Sequence, residues 1–247
     1  MKRKIISLLT AAVCTFGASA ALCACGGNDG KGGKGGNGGN GGITENTKFD
    51  SIVSQTIADS DAWAAAFDFG EVTSMSCKWS GTSYSGGELF SDASAKFDFK
   101  DNKGHLYMIE DGNAQEGYMY FDSPTLYSLR YDKDTSKWLR RGRDISDFGQ
   151  LCVQAYMFDP LAQYSNYINR FSEFTYDNDK KGYVYTDTFT EMIFKFYGGK
   201  LAAVSYEREV SIHSSVDREQ LLVYDIGGNQ KVNIPTDFVD EQHASED

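Results

Sequence analysis

Residue types capable of catalysis are plentiful in this 247-residue chain, but their spacing rarely suits a reaction. Gly81-Thr82-Ser83-Tyr84-Ser85-Gly86 comes within one residue of a G-x-S-x-G elbow, which needs a serine on a sharp turn between strand and helix. Its surroundings are Gly- and Ser-rich, so it reads as a hairpin turn. Asp177-Asn178-Asp179-Lys180-Lys181-Gly182 begins like a calcium loop, yet Lys181 occupies a ligand position and Thr188 stands where a bidentate Glu is required. That segment also reads as a turn. His105, His213 and His243 are far apart, and none has a neighbour at zinc-ligand spacing. The acids are numerous enough to form carboxylate pairs, but no spacing singles out a glycosidase-like pair. Arg140-Arg141-Gly142-Arg143 is the one basic cluster in the acidic domain beyond residue 42; phosphate or carboxylate would suit it, though it reads more simply as a solvated strand end beside Asp144 and Asp147. No catalytic residue, metal ligand or cofactor motif is assigned, and the chain is expected not to be an enzyme.

Cysteine chemistry says more. Lys2, Arg3 and Lys4 precede an apolar run from Ile5 to Ala21, which ends in Leu22-Cys23-Ala24-Cys25. This is a signal peptide in its parts, and too short and interrupted for a membrane span. The last four residues resemble the bacterial lipobox, with Leu22 and Ala24 at the constrained positions and Cys25 as the lipidated N-terminus. Residues 1–24 are then removed, and a diacylglyceryl anchor on Cys25 holds the protein at the extracytoplasmic face of the membrane. The alternative is secretion after cleavage at Ala18-Ser19-Ala20. Residues 26–42 comprise eleven Gly, three Asn, two Lys and one Asp, a composition that buries nothing. It is expected to be a tether with an r.m.s. reach of roughly 23 Å. Cys77 and Cys152 remain; both fall on inward-facing positions, either pairing as a disulfide or standing as buried free thiols.

Residues 43–236 are expected to form one domain and 237–247 a disordered tail. Beyond residue 42 there are 19 Lys and Arg against 34 Asp and Glu, a net charge of −15 that disfavours nucleic acid and anionic headgroups as partners. A loose helix is expected around Phe49 to Ile57, and an Ala-rich helix over 61–67, capped by Ser60, with Trp63 and Phe67 at i, i+4. From Val72 the period becomes two. Strands are predicted at 72–80, 88–99, 103–110, 116–122, 125–132 and 136–143, with turn residues such as Ser85-Gly86-Gly87 and Asp111-Gly112-Asn113 between them. Helical spacing returns over 145–158, and Asp159-Pro160 opens a second helix to Ile168. Strands resume at 171–177, 182–187, 189–197, 200–210 and 219–226, with a last one at Lys231 to Ile234.

Several strands are apolar on both faces, notably Tyr118-Met119-Tyr120-Phe121 and Ile193-Phe194-Lys195-Phe196-Tyr197. Two-sided apolarity requires cover on each side. The expected class is α+β, a strongly curved antiparallel half-barrel meander with helices covering its concave face. Trp63, Tyr118, Tyr120, Tyr183, Tyr185, Phe194 and Phe196 are candidates to line a cavity there, with Gly117-Tyr118 and Gly182-Tyr183 opening two similar G-Y-x-Y-x-D stretches.

The lipobox and tether, the short helix with Asp61-Ala62-Trp63, the long meander, the helical interruption and the closing Gly227-Gly228-Asn229-Gln230-Lys231-Val232-Asn233-Ile234-Pro235 resemble cell-surface lipoproteins of Gram-positive anaerobes. These are similar in fold to the lipoprotein-carrier proteins and the mycobacterial lipid-binding lipoproteins. The resemblance implies a half-barrel closed by helices around an apolar cavity, and maps no specific ligand residue. Three functions compete: an anchored, non-catalytic protein holding an apolar or amphiphilic ligand; an envelope module that meets a protein or glycan and has no internal ligand; and a hydrolase.

Overall fold

Tight turns with positive φ fold the chain back on itself, at Gly86-Gly87, Asp111-Gly112 and Gly198-Gly199. Both central residues of these turns lie in the left-handed region, which matches the twist of the strands they join. The structure, a computed structural model, describes residues 42–69, 72–144, 162–210 and 215–241. The signal peptide, Leu22, Ala24, Cys25, nearly all of the tether, the helix expected over 145–158, Cys152, Asp159-Pro160, His213 and His243 lie outside the described residues.

Six strands form a first meander: β1 (Ser74–Ser85), β2 (Glu88–Lys100), β3 (Lys103–Glu110), β4 (Asn113–Asp122), β5 (Thr125–Asp132) and β6 (Lys137–Asp144). Five form a second: β7 (Thr175–Asp177), β8 (Gly182–Thr186), β9 (Thr190–Tyr197), β10 (Lys200–Val210) and β11 (Ser215–Tyr224). Pairing of β1 with β11 joins them, and β12 (Phe238–Asp240) adds a parallel strand beside β6. The resulting sheet has twelve strands in the order β12-β6-β5-β4-β3-β2-β1-β11-β10-β9-β8-β7.

This corrects the expected α+β class with helices over one face. Among the described residues the single α-helix is α1 (Ser60–Ala66), and the part of the second expected helix that is described, Ala162–Tyr167, is a 3-10 turn. Cover for the two faces comes instead from α1, short 3-10 turns and an extended strap. The strap runs over residues 43–57. Only Phe49–Ser51 is helical there, because beyond it the backbone is taken up by the sheet: Ser54 N–H donates to Lys181 O and Gln55 N–H to Phe196 O. Ile52 packs with Ala203, Leu222 and Tyr224 on the face opposite α1, with Ile43 and Phe49 beside them.

Smaller corrections have local causes. The cap of α1 is Asp59, whose carboxylate accepts the Ala62 N–H at 2.8 Å, one residue before the expected Ser60. Strand β1 continues through Gly81 to Ser85, since β2 and β11 pair with it on either side along that length. Phe171–Glu173 is a 3-10 turn and Lys231 to Ile234 belongs to no strand. Within the tail expected to be disordered, Phe238–Asp240 is β12, held by the Arg140 side chain: its guanidinium lies 4.1 Å from the Phe238 ring and meets Asp240 at 2.7 and 3.0 Å. The Asp177 turn is as predicted, its carboxylate accepting the Asp179 and Lys180 N–H groups.

Candidate functional site

The register sorts the aromatic residues between the two faces. Residues directly opposite in neighbouring strands share a face, so Tyr183, Phe194, Val204, Leu221, Trp79, Ala95, Met108 and Gln115 form one continuous row on the α1 side. Tyr118 and Tyr120 alternate with Gln115 and Gly117 along β4 and point to the opposite side. The two G-Y-x-Y-x-D stretches therefore present their tyrosines to different faces, because counting pairs across the sheet gives them opposite parity.

Five of the seven candidate cavity residues meet under α1. Trp63 is 0% exposed, with ring centroids of Phe174, Phe196, Phe171, Tyr183, Phe67 and Phe194 at 4.9–5.8 Å. These are direct ring contacts of tilted and edge-to-face geometry. The Trp63 indole N–H donates to Tyr167 O at 2.9 Å, and the Tyr183 hydroxyl exchanges hydrogen bonds with the Ile57 backbone. Tyr185, half-buried, closes the cluster against Phe174 at 5.7 Å. Cys77 lies on the same face as a fully buried free thiol, held protonated by burial and by the nearby Asp98 charge.

Toward β1, β10 and β11 this face turns polar. The Trp79 indole N–H donates to Glu219 Oε2 at 3.3 Å, and burial holds the Glu219 carboxyl above its usual range despite that bond. The Tyr164 hydroxyl is buried and has no hydrogen-bond partner among the described residues.

The opposite face carries a second aromatic assembly, which is half-exposed. His105 stacks on Tyr118 at 4.5 Å; Trp138 meets Tyr118 edge-on at 5.2 Å and Tyr131 at 5.3 Å. Tyr120 stacks on Tyr127 at 4.9 Å, and the Arg140 guanidinium lies 4.8 Å from the Tyr127 ring and donates to the Tyr120 hydroxyl at 3.1 Å. The row runs from β3 to β12, about 19 Å across at the usual strand separation. Its polar tips include Glu116, which accepts from the Tyr118 hydroxyl at 3.0 Å and contacts His105 Nε2 at 2.9 Å. Burial and that contact with Glu116 push the Tyr118 phenol up to about 12.

His105 sits between Glu116 and Asp98, the latter 3.9 Å from Nδ1 and receiving the Ser76 hydroxyl at 2.6 Å. Asp98 raises the His105 pKa, against partial burial, with Glu116 adding to it. A histidine pKa raised by folding stabilises fully below the unfolded value of about 6.5, and that contribution is lost as pH rises through the folded value. His105→Gln is therefore expected to lower the melting temperature more at pH 5.5 than at pH 8.5. Equal shifts at the two pH values would show that the imidazole charge does not matter.

Sequence reasoning did not bring these groups together. His105 stood as an isolated histidine and Arg140 as a solvated strand end; Glu219 was not singled out. One usable signal was Gly81 inside a strand, a mark of close approach: a Cβ there would come within 2.7 Å of the Trp79 ring. Among the described residues no group of His, Cys, Asp and Glu could hold a metal ion, and no helix is long and apolar enough to cross a membrane.

No family model matches the chain, and no curated protein matches it. Among solved structures it is similar to a DUF1329 family protein from Desulfovibrio piger, with 12% identity and a TM-score of 0.32, over 69% of this chain and 93% of that one.

Proposed function

We propose that the protein is a non-catalytic, lipid-anchored module of the cell envelope whose half-exposed aromatic row binds a neutral polysaccharide. The row from His105 and Tyr118 through Trp138 to Arg140 and Phe238 carries this reading. Sugar rings offer C–H faces to aromatic groups and hydroxyls to polar tips, and Tyr, Trp and His combine both kinds of surface. The tyrosine hydroxyls, Glu116, His105 and Arg140 supply donors and acceptors along the row. A net charge of −15 beyond the tether disfavours an anionic chain. The module is favoured over an apolar-ligand carrier because the rings under α1 already fill one another's contacts. The Cys25 anchor and the glycine tether would hold this face at the extracytoplasmic surface.

The test is retention on insoluble cellulose, chitin and isolated cell-wall sacculi, with wild-type, Trp138→Ala and Cys25→Ala proteins. Wild type should be retained on at least one neutral polymer, and Trp138→Ala should lose about tenfold in affinity while still folding, as expected for an aromatic anchor. Cys25→Ala should bind equally well but leave the membrane fraction of cells. Undiminished retention of Trp138→Ala, or none of the wild type on any polymer, would refute the binding claim. A Cys25→Ala protein that stays membrane-bound would refute the anchor.

A further inference from the structure

At one end of the sheet, on the face that the strap crosses farther along, the register aligns a row of residues across neighbouring strands. Glu209 of β10 stands opposite Val216 of β11, Val216 opposite Tyr84 of β1, and Tyr84 opposite Leu89 of β2. Phe189, just ahead of β9, extends the row, its carbonyl accepting the Glu209 N–H at 2.7 Å. Residues opposite one another share a face, so Phe189, Glu209, Val216, Tyr84 and Leu89 make a stripe about 19 Å long at the usual strand separation. Phe90 follows Leu89 as the unpaired residue of a bulge. The strap packs on Leu222, farther along β11, and leaves the stripe open: Leu89 is 56% exposed, and Phe90 and Phe189 are 49% exposed each.

The charges around this stripe are of one sign. Glu209 within it, and Glu88 and Asp92 at its β2 end, are exposed, and none of the three forms an ion pair among the described residues. The cation beside the stripe on this face, Arg218, is already engaged: its guanidinium donates to Glu207 at 2.7 Å and lies 5.5 Å from the Tyr84 ring centroid. Exposed apolar surface rimmed by polar groups marks an interaction site, and here the rim selects the partner. A second copy would bring its own acids, since the chain beyond residue 42 carries −15, and an anionic membrane surface is disfavoured for the same reason. Apolar residues flanked by Lys or Arg fit both the stripe and its rim.

We propose that this stripe docks a basic amphipathic helix of another protein. Spacing favours a helix over an extended segment: residues in the row repeat at the strand separation of about 4.8 Å, close to the 5.4 Å helical pitch and well short of the roughly 6.8 Å between side chains on one face of a strand. A helix of about 13 residues spans 19 Å, and leucines at i, i+3, i+4 and i+7 present one apolar face to Phe189, Val216 and Leu89. Lysines beside that face then meet Glu209, Glu88 and Asp92. The stripe lies on β10, β11, β1 and β2, apart from the aromatic row on β3 to β6 and β12, so the two surfaces can be tested separately.

Titration of the full chain with fluorescent peptides of about 14 residues tests this, using leucine and lysine in helical pattern, the same residues scrambled to remove the apolar face, and the patterned peptide with Glu for Lys. The patterned Leu/Lys peptide should bind saturably, at least about tenfold tighter than either of the others. A double variant, Leu89→Gln with Phe189→Gln, should lose about tenfold in affinity. Glu209→Gln should lose about two- to fivefold and show a shallower salt dependence. Val239→Gln, exposed to a similar degree on β12, and Trp138→Ala in the aromatic row should both bind as wild type, which separates this surface from the polysaccharide reading. Equal affinity for patterned and scrambled peptides, no saturable binding, or unchanged affinity in the double variant would overturn the proposal. If the double variant fails to fold, unchanged affinity in Leu89→Gln alone overturns it. Self-association in sedimentation, or flotation of Cys25→Ala protein with phosphatidylcholine vesicles, abolished in either case by Leu89→Gln, would assign the stripe to a second copy or to lipid and overturn it as well.

Discussion

Replacing Trp63 with Ala is expected to destabilise the protein by about 3–5 kcal/mol, the cost of removing a large aromatic ring from a packed interior. The site leaves little room for relaxation. Trp63 is held by rings from α1, from the Phe171–Glu173 turn and from strands β8 and β9, and its indole N–H satisfies the Tyr167 carbonyl. Removing it opens a cavity at the centre of these rings and strands the carbonyl as well. For a domain of this size the loss corresponds to a fall in melting temperature on the order of 6–20 °C. Trp63→Phe should fall well short of that, since it keeps much of the ring surface and loses the donor. A Trp63→Ala shift below about 2 °C would mean that the cluster closes around the gap, and that α1 is peripheral to stability.

Lys195 should give the second large effect, on the opposite face. The residue is 1% exposed, and its ammonium donates to the carbonyls of Phe49 and Ile52 at 3.0 Å each and lies 4.3 Å from the Phe49 ring centroid. It therefore fastens the strap of residues 43–57 to the sheet. Burial pulls its pKa below the usual lysine range, with Asp50 opposing, which reflects the cost of placing a charge there. Lys195→Met keeps the apolar stem and removes both donors. The Phe49 carbonyl keeps the Ile52 N–H at 3.1 Å, but the Ile52 carbonyl is left without a partner, which costs about 1–3 kcal/mol, offset in part by relief of the buried charge, so a net loss of about 1–2 kcal/mol is expected. Limited proteolysis should then cut within 43–57 well before the sheet is attacked. A Lys195→Met protein with wild-type stability and an uncut strap would show that apolar packing of Ile52 alone holds the segment.

These two residues show what could be read in advance. Trp63 was legible as a core residue because Asp61-Ala62-Trp63-Ala64-Ala65-Ala66-Phe67 has helical spacing and places two aromatic rings on one side. Lys195 was not. It interrupts an apolar run, and alternation alone would send it to solvent; it is buried because the strap, far away in sequence, crosses that face and turns two carbonyls toward it.

The same division holds for the fold. Sequence by itself determined most of the strands and their hairpin partners, since period-two alternation and positive-φ turns act between neighbours in the chain. It also determined the net charge and the signal-like start that suggests an anchor. Only the tertiary structure decided that β1 pairs with β11, so that Glu219 comes to lie across from Gly81, and that β12 returns to β6 to receive Arg140. It decided, too, that Tyr118 and Tyr183 face opposite ways, which depends on register counted across the sheet. The physical reason is the range of the forces. Turn geometry and alternation are fixed by adjacent residues, whereas the joining of two meanders and the cover of each face follow from burial shared among segments far apart in the chain, which no local pattern encodes.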